Sequence, residues 1–219
     1  MALVLHLHPF ASYCQKVLIA LYELGLPFDQ VLVEDREEHL ELWPLGSIPV
    51  LVDTEAGLTI PESTSIIEYL NALAGDEGMV PADPDAALQA RLWDRIVDNH
   101  IADQMSKIVT DNLRPEGRSD PQGVDDARAM LSTAYGVLDR QLTSRTWLAG
   151  EDFTLADCAA APPLFYCRAI HRWDSEEHAE VMRYYRALLA RPSFARVVDE
   201  ARPYRELFPL PWPDDFDDV

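Results

Sequence analysis

The chain has 219 residues, with 38 acidic against 18 basic side chains and a formal net charge of −20. With no basic cluster to offset that balance, it argues against nucleic acid and anionic membrane as partners. No apolar run approaches a membrane span, and three cysteines, an odd number, do not suggest a disulfide framework.

In chain order, Ala2 to His8 reads as a buried strand ended by Pro9. It lacks the basic n-region and cleavage site of a signal peptide, so a reducing cytoplasm is the simplest home. A helix follows from Tyr13 to Leu24, with Val17, Ala20, Leu21 and Leu24 on its inner face and Gly25 as its stop. Phe28 to Val33 is a second strand, and 34–43 a charged, helical connection. Pro49 to Asp53 and Leu58 to Ile60 make a third and a fourth strand around the Glu55-Ala56-Gly57 turn. A helix from Ser63 closes the unit near Gly75, with Ile66, Leu70 and Leu73 on one face. The order is β-α-β-α-β-β-α over residues 1–75, an α/β sandwich. Residues 76–83 read as a linker dense in turn formers. Helices over 84–112, 122–144, 154–170, 176–190 and 193–202 then form an all-helical domain spanning 84–204. The chain ends in an acidic tail, 205–219, whose last stretch Pro213–Val219 reads as loose.

Two stretches carry chemistry. At Glu62-Ser63 an acid and a hydroxyl stand at a helix start, where free backbone N–H groups carry partial positive charge and bind carboxylates. Ser63 and those N–H groups suit a ligand carboxylate, while Glu62 can pair with an ammonium group. The competing interpretation is plain capping, since Ser65-Ile66-Ile67-Glu68 also fits a capping box. The second stretch is Thr154-Leu155-Ala156-Asp157. Thr154 is a natural N-cap, Asp157 is the acid three residues on, and Phe153 and Cys158 can form a hydrophobic staple. The helix behind it, from Ala159 to Tyr166, is apolar all round and belongs at the centre of the second domain.

A βαβαββα unit, an all-helical domain, Ile48-Pro49, Glu62-Ser63 and Thr154–Asp157, in this order, together resemble the cytosolic glutathione transferases. The resemblance covers roughly 3–202; His8-Pro9, Ser12-Tyr13-Cys14 and Leu18–Glu23 are most similar to a bacterial, serine-type branch. It implies a thioredoxin-like first domain, a cis bond between Ile48 and Pro49, and pairing of the cysteinyl backbone of glutathione with Ile48. It further implies Glu62 and Ser63 at the γ-glutamyl end, and Ser47 where relatives carry a lysine or glutamine reaching the glycyl end. A homodimer, a small hydrophobic electrophile between the domains, and glutathione as co-substrate without a metal follow from the same resemblance. Among alternatives on this fold are a glutathione-dependent isomerase, dehalogenase or peroxidase, and a non-catalytic binding or regulatory protein.

Transfer needs the glutathione thiolate, and a free thiol has a pKa of about 8.5, so the anion must be stabilised. The family's solution is a hydroxyl donor at the start of the first helix. The serine of many relatives falls at Ala11, and the chain departs from the family there. Ser12 is the first candidate, with Tyr13, Cys14 or the backbone N–H groups alone as alternatives. Ser12 could instead be occupied by a capping box with Gln15. Cys14 lacks the partner of a Cys-x-x-Cys pair, which disfavours dithiol exchange but leaves a mixed disulfide with glutathione open. His6 and His8 share a strand face without a third ligand at recognisable spacing, so no metal site is read. Cys158 and Cys167 read as packing residues, and Trp93 and Trp147, both inside helical patterns, as core or interface. Arg168 and Arg172 either line the electrophile site or end a solvated helix.

Overall fold

A computed structural model describes residues 2–75 and 78–216. Four strands, β1 (Leu3–Leu7), β2 (Asp29–Leu32), β3 (Val50–Asp53) and β4 (Leu58–Pro61), form one sheet in the order β2-β1-β3-β4. The β1–β2 pair is parallel, which needs a crossover, and helix α1 (Ser12–Leu24) supplies it. The β1–β3 and β3–β4 pairs are antiparallel, the latter joined by a tight turn at Gly57 with φ of 67°. Leu3, Leu5 and Leu7 alternate into the core along β1, whereas β2 is exposed throughout, as befits an edge. Helices α2 (Arg36–Leu42) and α3 (Ser63–Leu73) complete the first domain.

Gly25 ends α1 in the left-handed conformation, its N–H returning to the Leu21 carbonyl. The spacing predicts one inner face for α1, but every residue from Cys14 to Leu21 is buried. The helix packs against α3 on one side and against the helices Leu155–Ile170 and Pro192–Ala201 of the helical domain on another, so no flank of that stretch stays wet.

The helical domain comprises α4 (Pro84–Val97), α5 (Asp103–Asp111), α6 (Pro121–Leu142), α7 (Leu155–Ile170), α8 (Ala179–Leu189) and α9 (Pro192–Ala201). Its centre is α7, buried over nearly its whole length. The Thr154 side chain accepts from Ala156 N–H, and Asp157 Oδ2 accepts from Thr154 N–H at 2.9 Å. Asp157 Oδ1 takes Leu148 N–H and the Tyr184 hydroxyl at 3.0 and 2.7 Å. Burial pushes the Asp157 carboxyl up to about 6 even so. Met79 and Val80, where the linker meets this domain, are buried, and Asn71 Oδ1 accepts both of their N–H groups.

Further expectations change. The helix predicted over 84–112 is interrupted by a π turn, Asp98–Ala102. Trp147 lies beyond the end of α6, in a bridged turn with Gly150, stacked edge-on against Phe153. The tail predicted as loose is fastened as far as it is described. After a 3-10 turn at Arg202–Leu207, the chain lays Phe208, Trp212 and Phe216 against Phe165 and Tyr166 of α7. Phe216 is 3% exposed. The aspartates dominate the composition there, but the aromatic side chains gain more by leaving water than the chain loses in freedom. Asp217, Asp218 and Val219 lie outside the described residues.

Arg168 and Arg172 hold this tail. Arg168 is buried and donates to the Phe216 carbonyl at 3.0 Å, while Arg172 clasps Asp215 through both terminal nitrogens at 2.7 and 2.8 Å. Arg168 is thus buried rather than at a solvated helix end, whereas Arg172 does stand exposed just past the end of α7.

Candidate active site

Two clefts meet at Tyr13 and Ile48, which line both. The first, of about 520 Å³, is polar and carries Ser47, Pro49, Glu62 and Ser63 from the first domain with Arg95, Asp98 and Asp103 from the second. The second, of about 410 Å³, is apolar and lies between the start of α1, the outer face of α5 and the tail segment Leu207–Pro209.

The floor of the polar cleft begins with the cis bond between Ile48 and Pro49. Helix α2 anchors the loop before it. The ring Nε2 of His39 lies 2.9 Å from the Ser47 carbonyl oxygen, to which it donates as the N–H tautomer, and Trp43 Nε1 donates to Ser47 Oγ at 3.2 Å. The Ser47 hydroxyl proton is thereby left for an acceptor in the cleft.

At the wall, Glu62 precedes α3 with φ of 69°, the sole non-glycine residue with positive φ among those described. Such a conformation costs on the order of 1–3 kcal/mol, and residues that keep it cluster at ligand sites. No side chain caps α3, and its first turn holds no acid. The Ser65–Glu68 capping box predicted as an alternative does not form: α3 already begins at Ser63, and Glu68 is turned to Arg91 at 2.8 Å. The N-terminal N–H groups of α3 and the Ser63 hydroxyl thus stand beside the cleft without a capping partner.

Below the cleft lies a charged cluster that no local motif announces. Lys16, 1% exposed, reaches from α1 to Asp94 and Asp98 at 2.6 and 2.9 Å and to Thr64 Oγ1 at 3.0 Å. Thr64 donates onward to Asp94 Oδ2, and Arg95 Nη1 donates at 3.1 Å to Asp98 Oδ2, the same oxygen that Lys16 contacts. Asp94 and Asp98 stand four apart on one helix face, continuing the spacing of buried Ala90. An acid recurring at a core position was the available signal. Burial raises the Asp98 carboxyl, opposed by the charge of Lys16.

At the start of α1 the N-cap is Ala11, with extended backbone and no side-chain hydrogen bond. Ser12 is the first helical residue, so it does not cap, and Gln15 is engaged elsewhere, with the Pro9 carbonyl and the Tyr166 hydroxyl. The predicted Ser12–Gln15 box is therefore absent. Ser12 lines the apolar cleft beside Ala11 and Ile48. Tyr13 instead donates its hydroxyl to Asp103 at 2.9 Å; burial first, then the charges of Asp98 and Asp103, raise its pKa well above that of an ordinary phenol. Cys14 points inward, 0% exposed, and burial pushes its thiol up to about 12. It cannot meet a ligand in either cleft, which removes the mixed-disulfide alternative.

Among the described residues, no three His, Cys, Asp or Glu side chains are grouped to hold a metal ion. None of their helices is long and apolar enough to cross a membrane.

Residues 5–78 match the model of the glutathione S-transferase N-terminal domain, and residues 121–187 that of its C-terminal domain. Glutathione S-transferase 3 of Zea mays is 30% identical over 203 residues, 87% of this chain and 90% of that protein. The chain belongs to the glutathione S-transferase family. A glutathione S-transferase from Methylobacterium radiotolerans, solved in complex with glutathione sulfonate, superposes with a TM-score of 0.78 at 30% identity. That likeness spans 90% of this chain and 95% of that one. FzlA from C. crescentus gives 0.83 at 26% identity over 100% of this chain and 99% of its own. The plant and bacterial transferases are equally similar, so these matches identify the family rather than a bacterial branch of it.

Proposed function

We propose that this family member is a glutathione transferase, with glutathione in the polar cleft and a small hydrophobic electrophile in the apolar one. The observation that carries this is the meeting of the two clefts at Tyr13 and Ile48, with an uncapped helix N-terminus beside each. The γ-glutamyl carboxylate takes the start of α3 and Ser63, its ammonium takes Glu62, and the glycyl end meets Ser47. Backbone pairing at Ile48 then points the cysteinyl sulfur toward α1.

There the Ser12 hydroxyl and the first N–H groups of α1 donate to the thiolate, lowering the pKa of the bound thiol. Ser12 is favoured over Tyr13 because the phenol already gives its proton to Asp103. With a chlorodinitrobenzene electrophile, sulfur attacks the ring carbon, the C–S bond forms, chloride leaves, and the thiol proton has already passed to solvent. A cytoplasmic homodimer completes this proposal, supported by the family to which the chain belongs.

A second reading, binding without turnover, is favoured by Ala11, which brings no hydroxyl where the family pattern has one. The likeness to a relative named FtsZ-localized protein A supports it too; that Caulobacter vibrioides protein is 29% identical over 209 residues. Calorimetric titration with glutathione, run beside Glu62→Ala, tests the first reading together with a turnover assay. Micromolar to low-millimolar binding that is lost in the variant, with turnover, is expected. Binding without turnover of any electrophile supports the second reading, and no heat at millimolar glutathione refutes the proposed ligand.

A further inference from the structure

We propose that Arg95 is a specificity-determining residue of the polar cleft, its guanidinium taking the α-carboxylate of the γ-glutamyl group opposite the start of α3. This rests on the reading above that glutathione is the ligand.

Charge balance makes the need for such a group plain. Three carboxylates, Glu62, Asp98 and Asp103, line the cleft, and Arg95 is the one basic side chain among the described residues that do so. Glutathione brings two carboxylates and one ammonium. Without Arg95, helix dipole and hydroxyl alone would have to hold the α-carboxylate against Glu62, Asp103 and an Asp98 whose charge Lys16, shared with Asp94, offsets only in part. Lys16 cannot help, because it is buried and committed to Asp94, Asp98 and Thr64.

Arg95 is positioned for the task. Its Nη1 is fixed to Asp98 Oδ2 at 3.1 Å and its Nη2 to Asn99 Oδ1 at 2.8 Å, while the side chain stays 54% exposed. A guanidinium has five N–H donors in a rigid fork, so two anchored contacts leave donors free for a carboxylate. Asp98 is itself locked by Lys16, which orients Arg95 before any ligand arrives. The ligand would thereby bridge the domains, with Glu62 and Ser63 on one side and Arg95 on the other.

The test is a set of titrations with three peptides: glutathione, 4-aminobutyryl-Cys-Gly, which lacks the α-carboxylate, and glutaryl-Cys-Gly, which lacks the ammonium. The wild-type protein is expected to prefer glutathione to the aminobutyryl peptide by about 10- to 100-fold, the range of one charge-assisted contact. In Arg95→Gln that preference shrinks about five- to tenfold, the remainder being the share of Ser63 and the start of α3, while the preference over the glutaryl peptide, assigned to Glu62, persists. Arg95→Lys, a point charge without the fork, falls between them. Because the side chain is largely exposed, both variants are expected to fold. An unchanged preference in Arg95→Gln, or equal weakening of all three peptides, overturns the assignment. Failure of the wild-type protein to bind any of the three overturns the glutathione reading itself.

Discussion

Lys16→Met is the most informative single change, because it leaves the shape of α1 nearly intact and removes the cation from beneath the cleft. Lys16 is 1% exposed, and its partners Asp94 and Asp98 are 0% and 4% exposed. Deleting one member of a buried ion pair strands a charge at a cost of about 3–5 kcal/mol. Here two carboxylates are stranded, one of them kept partly compensated by Arg95 at 3.1 Å. We therefore expect a loss of about 4 kcal/mol at pH 7.5 by urea unfolding, against a typical total of about 5–15. The loss should depend on pH. Burial already raises the Asp98 carboxyl in the wild-type protein, and removing Lys16 raises it further. Between the unfolded and the folded pKa the native variant then binds more protons than its unfolded chain, so its stability recovers as pH falls. The difference from wild type should shrink by up to about 1.4 kcal/mol per pH unit for that one group. A difference below about 1 kcal/mol, or one that does not narrow between pH 7.5 and 5.5, refutes the picture of a charged cluster. Adding Asp94→Asn and Asp98→Asn to Lys16→Met should restore much of the lost stability.

Other expectations follow from the geometry. Ser12→Ala removes a donor to the thiolate, which should move the rise of kcat/KM to higher pH by about 1–2 units; an unchanged profile would assign the task to the backbone alone. All three cysteines are buried, Cys14 and Cys167 with thiols pushed up to about 12, so a thiol reagent should label none in the native protein and three after denaturation. Phe216→Ala removes a ring packed on Phe165 and Trp212, at centroid distances of 5.0 and 4.6 Å. It should loosen the segment Leu207–Pro209 and raise the KM for electrophile more than that for glutathione. Equal effects on both would separate the tail from the apolar cleft.

Much of this protein was legible in its sequence because the signals are local. The alternation of Leu3, Leu5 and Leu7, the left-handed stop at Gly25 and the Thr154–Asp157 cap each depend on a few neighbouring residues. The helix start marked Glu62 and Ser63, the resemblance to the family pointed to Ile48 and Pro49, and the fold brings all four to one cleft. What the tertiary structure decided is everything that depends on charges and rings meeting across domains. Lys16 is separated from Asp94 and Asp98 by most of the first domain, and only packing of α1 against the helical domain joins them. The same holds for Tyr13 and Asp103, and for the aromatic tail on α7, where Phe165 meets Phe216. Composition registers the aspartates of the tail and the cluster as solvated charge. Whether such a group is solvated or buried depends on the partner that reaches it, and periodicity along the chain carries no record of that partner.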